Sequence, residues 1–244
     1  MRIGVISDVH SNAEAFQTVL SQLADTDAIF CLGDIIGYGA DPLFCIEKIR
    51  ELEIPCIKGN HEGAVTGQLD LQYFNEDARL AIVWTKKQLQ EKDFVYLRAL
   101  NRKIEMCRDV LGVHGSPRQP LWEYILDEQV AEEIFTSFDF RIYFIGHSHI
   151  PGYFTFNRKN KAVNYNNAIN GAEINIKENN SYIINCGSVG QPRDGNPQAS
   201  FVIFDTEKSI VRIIRHDYPV LKAQEKINRA NLPHFLAERL AMGI

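Results

Sequence analysis

A chain of 244 residues with 45% hydrophobic and 23% charged residues has ordinary globular composition, which excludes disordered and fibrous classes. Thirty-one acidic residues against 26 basic ones leave a formal charge of −5, which disfavours an extended grip on nucleic acid or an anionic membrane. No apolar run approaches the length of a membrane span, the Ile3–Ile6 segment is too short for a signal-peptide core, and five cysteines form no pair at metal-like spacing. The expected setting is the reducing cytoplasm. Seven histidines are present, and five of them (His10, His61, His114, His147 and His149) sit in short segments rich in Gly, Asp, Asn or Ser.

Residues 2–7 form a short apolar run, as expected of a buried strand. Ser11 and Glu14 stand at capping-box spacing before a helix that repeats Phe16, Val19, Leu20 and Leu23 on one face. Residues 28–32 predict a second strand, ended by Gly33. Asp41-Pro42 then opens a helix with Cys45, Ile49 and Leu52 inward, and residues 54–57 predict a third strand. This β-α-β-α-β alternation predicts parallel strands with right-handed crossovers. Asn75-Glu76-Asp77 predicts a capped helix running to about Leu97. A strand at 110–114, a helix at 127–137 and a strand at 142–145 follow. Beyond Pro151, short β-like runs at 153–156, 173–176, 182–185, 201–204 and 210–214 alternate with turns and predict antiparallel sheet. The Asn- and Lys-rich stretch 157–180 reads as an exposed hairpin region. The tail at 221–240 reads as helical, with Pro233 near the start of the last helix. Nothing resembles a linker, so residues 1–244 are expected to form a single domain.

The predicted strands end alike, in an apolar run followed by residues able to hold a metal. These are Asp8-Val9-His10, Gly33-Asp34, Gly59-Asn60-His61-Glu62, Val113-His114-Gly115 and Gly146-His147-Ser148-His149. Singly, each has a structural reading: Asp8 as a cap, Asp34 and Asn60 as turn residues, His114 as a hydrogen-bonded structural histidine. Jointly they would converge, because the carboxyl ends of parallel strands share one edge of a sheet. Two Asp, one Asn and four His offer oxygen and nitrogen donors without thiolate, which suits Mn, Fe, Zn, Co or Ni better than an all-oxygen calcium cage. Seven ligands exceed the needs of one four-coordinate ion, and they fill two ions if one carboxylate bridges.

Taken in order over residues 8–149, these motifs strongly resemble those of the calcineurin-like metallophosphoesterases: Asp-x-His, Gly-Asp, Gly-Asn-His-Asp/Glu, a lone His, and Gly-His-x-His. The stretch Asn185-Cys186-Gly187-Ser188-Val189-Gly190-Gln191-Pro192-Arg193 is similar to the small bacterial and archaeal members. The resemblance implies an α/β fold, a four-layer αββα sandwich of two mixed β-sheets flanked by helices. It also implies two divalent transition metal ions, with manganese favoured. Asp8, His10 and His149 would bind the first and Asn60, His114 and His147 the second, with Asp34 bridging and His61 beside the scissile phosphate. Protein phosphatases of the superfamily follow the bridging aspartate with a second Asp and an Arg, and the segment Gly33-Asp34-Ile35-Ile36-Gly37-Tyr38-Gly39 has neither. That departure argues against phosphoprotein substrates. Arg118 and Arg193 are then the candidates for gripping phosphate, since a guanidinium binds it bidentately.

The function expected from these residues is hydrolysis of a phosphodiester or phosphomonoester. A metal-bridging hydroxide would attack phosphorus in line while His61 protonates the leaving oxygen. The substrate would be small, with nucleotides among the candidates. A dinucleoside polyphosphate or other nucleotide hydrolase is the alternative within that chemistry. A catalytically silent metal-binding scaffold is the alternative outside it, and the intact ligand set disfavours it. A nuclease for long polynucleotides would want a basic groove, and no basic run supplies one.

Overall fold

In the computed structural model, which describes residues 1–244, the strands gather into two sheets. The first orders β2 (Ala28–Cys31), β1 (Arg2–Ile6), β10 (Ala199–Asp205), β11 (Ile210–His216) and β8 (Ala172–Asn175). The second orders β3 (Lys103–Cys107), β4 (Val110–Val113), β5 (Ile142–Ile145), β9 (Asn180–Asn185), β6 (Gly152–Asn157) and β7 (Val163–Asn167). Both are mixed. β1 and β2 run parallel, as do β4, β5 and β9, and the remaining neighbours pair antiparallel.

Side-chain alternation explains the layering, because both faces of the central strands are buried. Ile3, Val5, Phe144, Ile184, Val202 and Phe204 fill the space between the sheets. Tyr143, Ile145 and Ile183 point the other way, onto Ile134 and Phe135 of α6 (Glu128–Ser137). The opposite outer face is covered by α1 (Ala13–Gln22), α2 (Pro42–Glu51), α3 (Asn60–Val65), α4 (Glu76–Gln88), α5 (Glu91–Ala99), α7 (Val220–Arg229) and α8 (His234–Met242). The result is the expected four-layer sandwich. No helix is long and apolar enough to cross a membrane.

Several local expectations are corrected. Residues 54–57 make only isolated parallel bridges, Cys31 to Cys56 and Ile57 to Asn101, since Pro55 has no N–H to give a ladder. The cap of α1 is Asn12, whose Oδ1 accepts from Ala15 N at 3.1 Å, while Ser11 Oγ accepts from Gly37 N. Leu52 lies past the end of α2 and is exposed. The helix expected over 75–97 is two helices, because the buried Asp93 carboxylate accepts from Gln90 N at 2.9 Å and caps a new start. The stretch 157–180 holds β7, paired with β6, and β8, which joins the other sheet. Helix α3 and strand β3 have no counterpart in the sequence reading.

Candidate metal centre

The strands deliver the candidate residues to one place from two sheets. Asp8 and His10 follow β1, Asp34 follows β2, His114 follows β4, and His147 and His149 follow β5, while Asn60 and His61 open α3. The loops are stitched together by main-chain bonds: Asp8 N to Gly33 O at 3.0 Å, His10 N to Asp34 O at 2.9 Å and Gly146 N to His114 O at 2.9 Å. His147 N crosses between the sheets to Asp8 Oδ2 at 3.0 Å. All eight side chains are buried. Asp8, His10, Asp34, His147 and His149 have φ of 57°, 50°, 51°, 67° and 61°, in the left-handed region that non-glycine residues rarely enter. Such strain persists where the surroundings over-determine it, and it clusters at functional sites.

Two donor sets stand side by side. Asp8, His10 and His149 form one and Asp34, His114 and His147 the other, with ligand atoms within 4.8 Å of one another in each. Asn60 Oδ1 lies 3.0 Å from His114 Nε2 and so adjoins the second set. Asp34 Oδ2 is 3.7 Å from His10 Nε2 and 3.4 Å from His114 Nε2, between the two sets. His61 shares a third grouping with His10 and Asp34.

The outward nitrogen of each histidine fixes what the inward one offers. His10 Nδ1 bonds Ile36 O at 3.1 Å, His114 Nδ1 bonds Leu32 O at 3.0 Å, His149 Nδ1 bonds Gln191 O at 2.5 Å, and His147 Nε2 bonds Trp122 O at 3.3 Å. A carbonyl only accepts, so these nitrogens carry the hydrogens and the inward ones present lone pairs. His10 Nε2 and His149 Nε2 therefore face each other at 3.0 Å with no hydrogen between them. Asp8 Oδ1 lies 3.2 Å from His149 Nε2, and it too has no hydrogen-bond partner. Burial, above all, pushes His10 down to about 4 and His149 down to about 3, so both are neutral near pH 7. Burial, with the neighbouring Glu62 and Asp8 charges, raises the Asp34 carboxyl well above its usual range. Buried lone pairs and carboxylates converging without donors fit divalent cations.

One contributor lies inside a motif without having drawn a role from sequence. The Glu62 carboxylate accepts from Gly59 N and Asp34 N at 2.8 Å each and from Ile36 N at 3.3 Å, tying the start of α3 to the loop after β2. Its position, three residues after Gly59, is the capping spacing that could have revealed it. His61 N donates to Asp34 Oδ1 at 2.9 Å, and a Cβ on Gly59 would stand 2.1 Å from that same oxygen.

The two candidate arginines part company. Arg193 Nη2 donates to the Tyr38 hydroxyl at 3.2 Å and to Gln191 Oε1 at 2.8 Å, and the Tyr38 ring packs on both His10 and His61. Arg118 is instead tied to Glu123 by Nε and Nη2 and to Glu133 by Nη1, two carboxylates with which a phosphate would have to compete. On the other flank, Tyr124 stacks on His147 with centroids 4.0 Å apart, and Phe74 meets His61 at 5.4 Å.

A family model for the calcineurin-like phosphoesterase superfamily domain matches residues 1–209. The chain belongs to that superfamily. It is 41% identical over 247 residues to an uncharacterised protein of Methanocaldococcus jannaschii, covering 99% of this chain and 98% of that one. A metallophosphoesterase crystal structure from Sphaerobacter thermophilus matches with a TM-score of 0.88 and 42% identity, over 100% of this chain and 99% of that one. A hypothetical protein of Pyrococcus horikoshii shares the fold, with a TM-score of 0.81 at 18% identity over 100% and 98% of the two chains. This calcineurin-like chain thus carries a metal-dependent phosphoesterase domain, and residues 210–244, which hold β11, α7 and α8, lie beyond the matched segment.

Proposed function

We propose that this protein hydrolyses a small phosphodiester or phosphomonoester, nucleotides among the candidates, as one domain spanning residues 1–244. Asp8, His10 and His149 hold one divalent transition metal and Asn60, His114 and His147 a second, with Asp34 shared and manganese the favoured ion. The observation that carries this reading is the unprotonated His10 Nε2 and His149 Nε2, facing each other beside an unpartnered Asp8 oxygen. When bound, such ions activate water for in-line attack and offset charge on the phosphate oxygens.

The protein's own groups do the rest. His61 is buried with Nδ1 free of any hydrogen bond, and burial, then the neighbouring cationic groups, hold it well below the usual histidine range, so it takes up the proton it passes to the leaving oxygen only with the anionic phosphate beside it. Arg193 orients the phosphate from the side of Tyr38. The test is metal analysis of the purified protein, paired with a Mn²⁺ assay on bis- and mono-(4-nitrophenyl) phosphate, cyclic nucleotides and dinucleoside polyphosphates. About two ions per chain with turnover of at least one substrate is expected. Metal binding without turnover of any substrate, with any transition metal, would favour the silent scaffold instead.

A further inference from the structure

A pocket of about 140 Å³ opens between the loop before α6 and the start of β6. Its walls are the side chains of Ile125, Leu126, Ile150, Phe154 and Tyr165, and its polar lining is Ser148 and Asn185. Ile125 and Phe154 are buried whereas Leu126 and Tyr165 are exposed, so the first pair marks its depth and the second its mouth. The pocket adjoins the candidate metal centre along the chain in two places. Ser148 stands between His147 and His149, with Cα atoms about 3.8 Å apart at each step. Ile125 and Leu126 follow Tyr124, whose ring stacks on His147 with centroids 4.0 Å apart.

Hydrogen bonding fixes what the polar lining offers. Gly146 O can only accept, so the Asn185 atom 2.9 Å from it is Nδ2, and the same amide donates to Ser148 Oγ at 2.9 Å. Asn185 Oδ1 accepts from Gly187 N at 2.9 Å, and Ile150 N donates to Ser148 Oγ at 3.3 Å. Both amide hydrogens of Asn185 are thus spent, and Ser148 Oγ accepts two bonds while its own hydrogen meets no acceptor in the protein. A hydroxyl in that state recognises an acceptor and gives nothing to a donor. Size narrows the ligand further. An apolar protein cavity of about 150 Å³ holds one benzene molecule, so this pocket fits one six-membered ring and not the fused pair of a purine. The Phe154 and Tyr165 rings, with centroids 4.9 Å apart, give it an aromatic wall suited to a planar group.

We propose that this pocket is a specificity subsite for a single planar ring bearing a hydrogen-bond acceptor, and that its occupant is a pyrimidine base on one arm of the substrate. The apolar walls exclude water from the ring, and the Ser148 hydroxyl meets a ring carbonyl oxygen. A donor left unpaired against a purely aliphatic arm would cost binding, which turns the same hydroxyl into a selector. This inference rests on the phosphoesterase reading above, because the ring belongs to an ester whose phosphate lies at the metal centre.

The experiment is titration calorimetry of the Mn²⁺-loaded protein with the 5′-phosphonates of ribose, uridine and adenosine, in which CH₂ replaces the ester oxygen so that none is hydrolysed. Wild type is expected to bind the uridine compound about tenfold more tightly than the ribose one, the gain that a stacked base brings. The adenosine compound should gain less than about twofold, its purine being too large for the pocket. Ser148→Ala removes the donor and should cut the uridine gain about threefold or more. Tyr165→Ala removes an exposed side chain at the mouth, which spares the fold, and should cut the gain by a similar factor. Equal binding of the ribose and uridine compounds by wild type, an equal gain for adenosine, or a uridine gain that survives both substitutions overturns the proposal and leaves the pocket to another occupant. A parallel loss for all three compounds, as a disturbed His147–His149 loop would give, counts as survival of the gain. Turnover of bis-(4-nitrophenyl) phosphate by the same wild-type preparation reports on the phosphoesterase reading separately. Its absence beside an intact uridine gain would sink that reading and keep the subsite.

Discussion

A Cβ on Gly37 would stand 2.1 Å from His61 Nδ1, so the loop after β2 and the candidate proton donor fit against each other with no room for a methyl group. Gly37 also has φ of 102°, where an L side chain is strained whatever the space. Gly37→Ala is expected to push the His61 ring aside while the candidate metal-binding residues stay in place. Metal content measured by plasma emission should hold, while kcat on esters with poor leaving groups falls by about 10²-fold. Unchanged kcat would mean that the position of His61 is of no consequence.

His61→Gln separates proton donation from binding. An alkyl leaving group needs a proton in the transition state, whereas 4-nitrophenolate is stable enough to depart without one. The expected loss is about 10²- to 10⁴-fold for an alkyl ester and much smaller for the aryl ester, at unchanged metal stoichiometry. Equal losses on both substrates, read from paired kcat/KM values, would exclude His61 as the acid.

The candidate ligands were legible because most of the short apolar runs stop at Asp or His, and a strand's carboxyl end says where those side chains go. Asp8, Asp34, His114 and His147 follow β1, β2, β4 and β5 as that rule requires. The sheet assignment was not legible. β10 inserts between β1 and β11, pairing Arg2 with Asp205 across some two hundred residues, and no local pattern encodes so distant a partner. Nor could periodicity find the break between α4 and α5, which depends on one buried carboxylate at Asp93. Arg118 read as a phosphate grip because Glu133, which neutralises it, lies on a separate element.

That contrast between arginines is itself testable. Arg193→Gln removes a guanidinium whose Nη1 is free near the metal-binding side chains, whereas Arg118→Gln removes one already neutralised by two glutamates. Arg193→Gln should raise KM about tenfold or more, in line with the loss of a charge-assisted bond. Arg118→Gln should leave KM within about twofold, the Glu123–Arg118–Glu133 pairing being partly solvent-exposed and worth little. A larger KM effect from Arg118→Gln would reverse the assignment.

Glu62 serves as a splint for the site. Three main-chain N–H groups, from Gly59, Asp34 and Ile36, end on its carboxylate in a fully buried position. Glu62→Ala strands all three, at about 1–3 kcal/mol for each unsatisfied group. A loss of about 3 kcal/mol or more is expected in urea unfolding, together with weaker metal binding as Asp34 drifts. Glu62→Gln keeps one accepting oxygen and should fall between wild type and alanine. A stability change under about 1 kcal/mol for the alanine variant would show that solvent reaches these groups.

Acid should weaken the metal-free protein in a defined window. Burial pushes His10 down to about 4 and His149 down to about 3, whereas histidine in an unfolded chain titrates near about 6.5. Between those values the unfolded chain binds protons that the folded one refuses, so stability falls as pH drops. Above about pH 7 both states carry neutral imidazoles, and these residues contribute no slope. Scanning calorimetry of the metal-free protein should therefore show a flat midpoint from about pH 8 to 7 and a steady decline below about 6.5. With Mn²⁺ present the midpoint should be higher at pH 7 and should decline more steeply on acidification, since protons then also compete for the metal-binding lone pairs. A midpoint that holds level down to about pH 5 without metal would mean that the folded protein accepts those protons, and that His10 and His149 do not present lone pairs to one another.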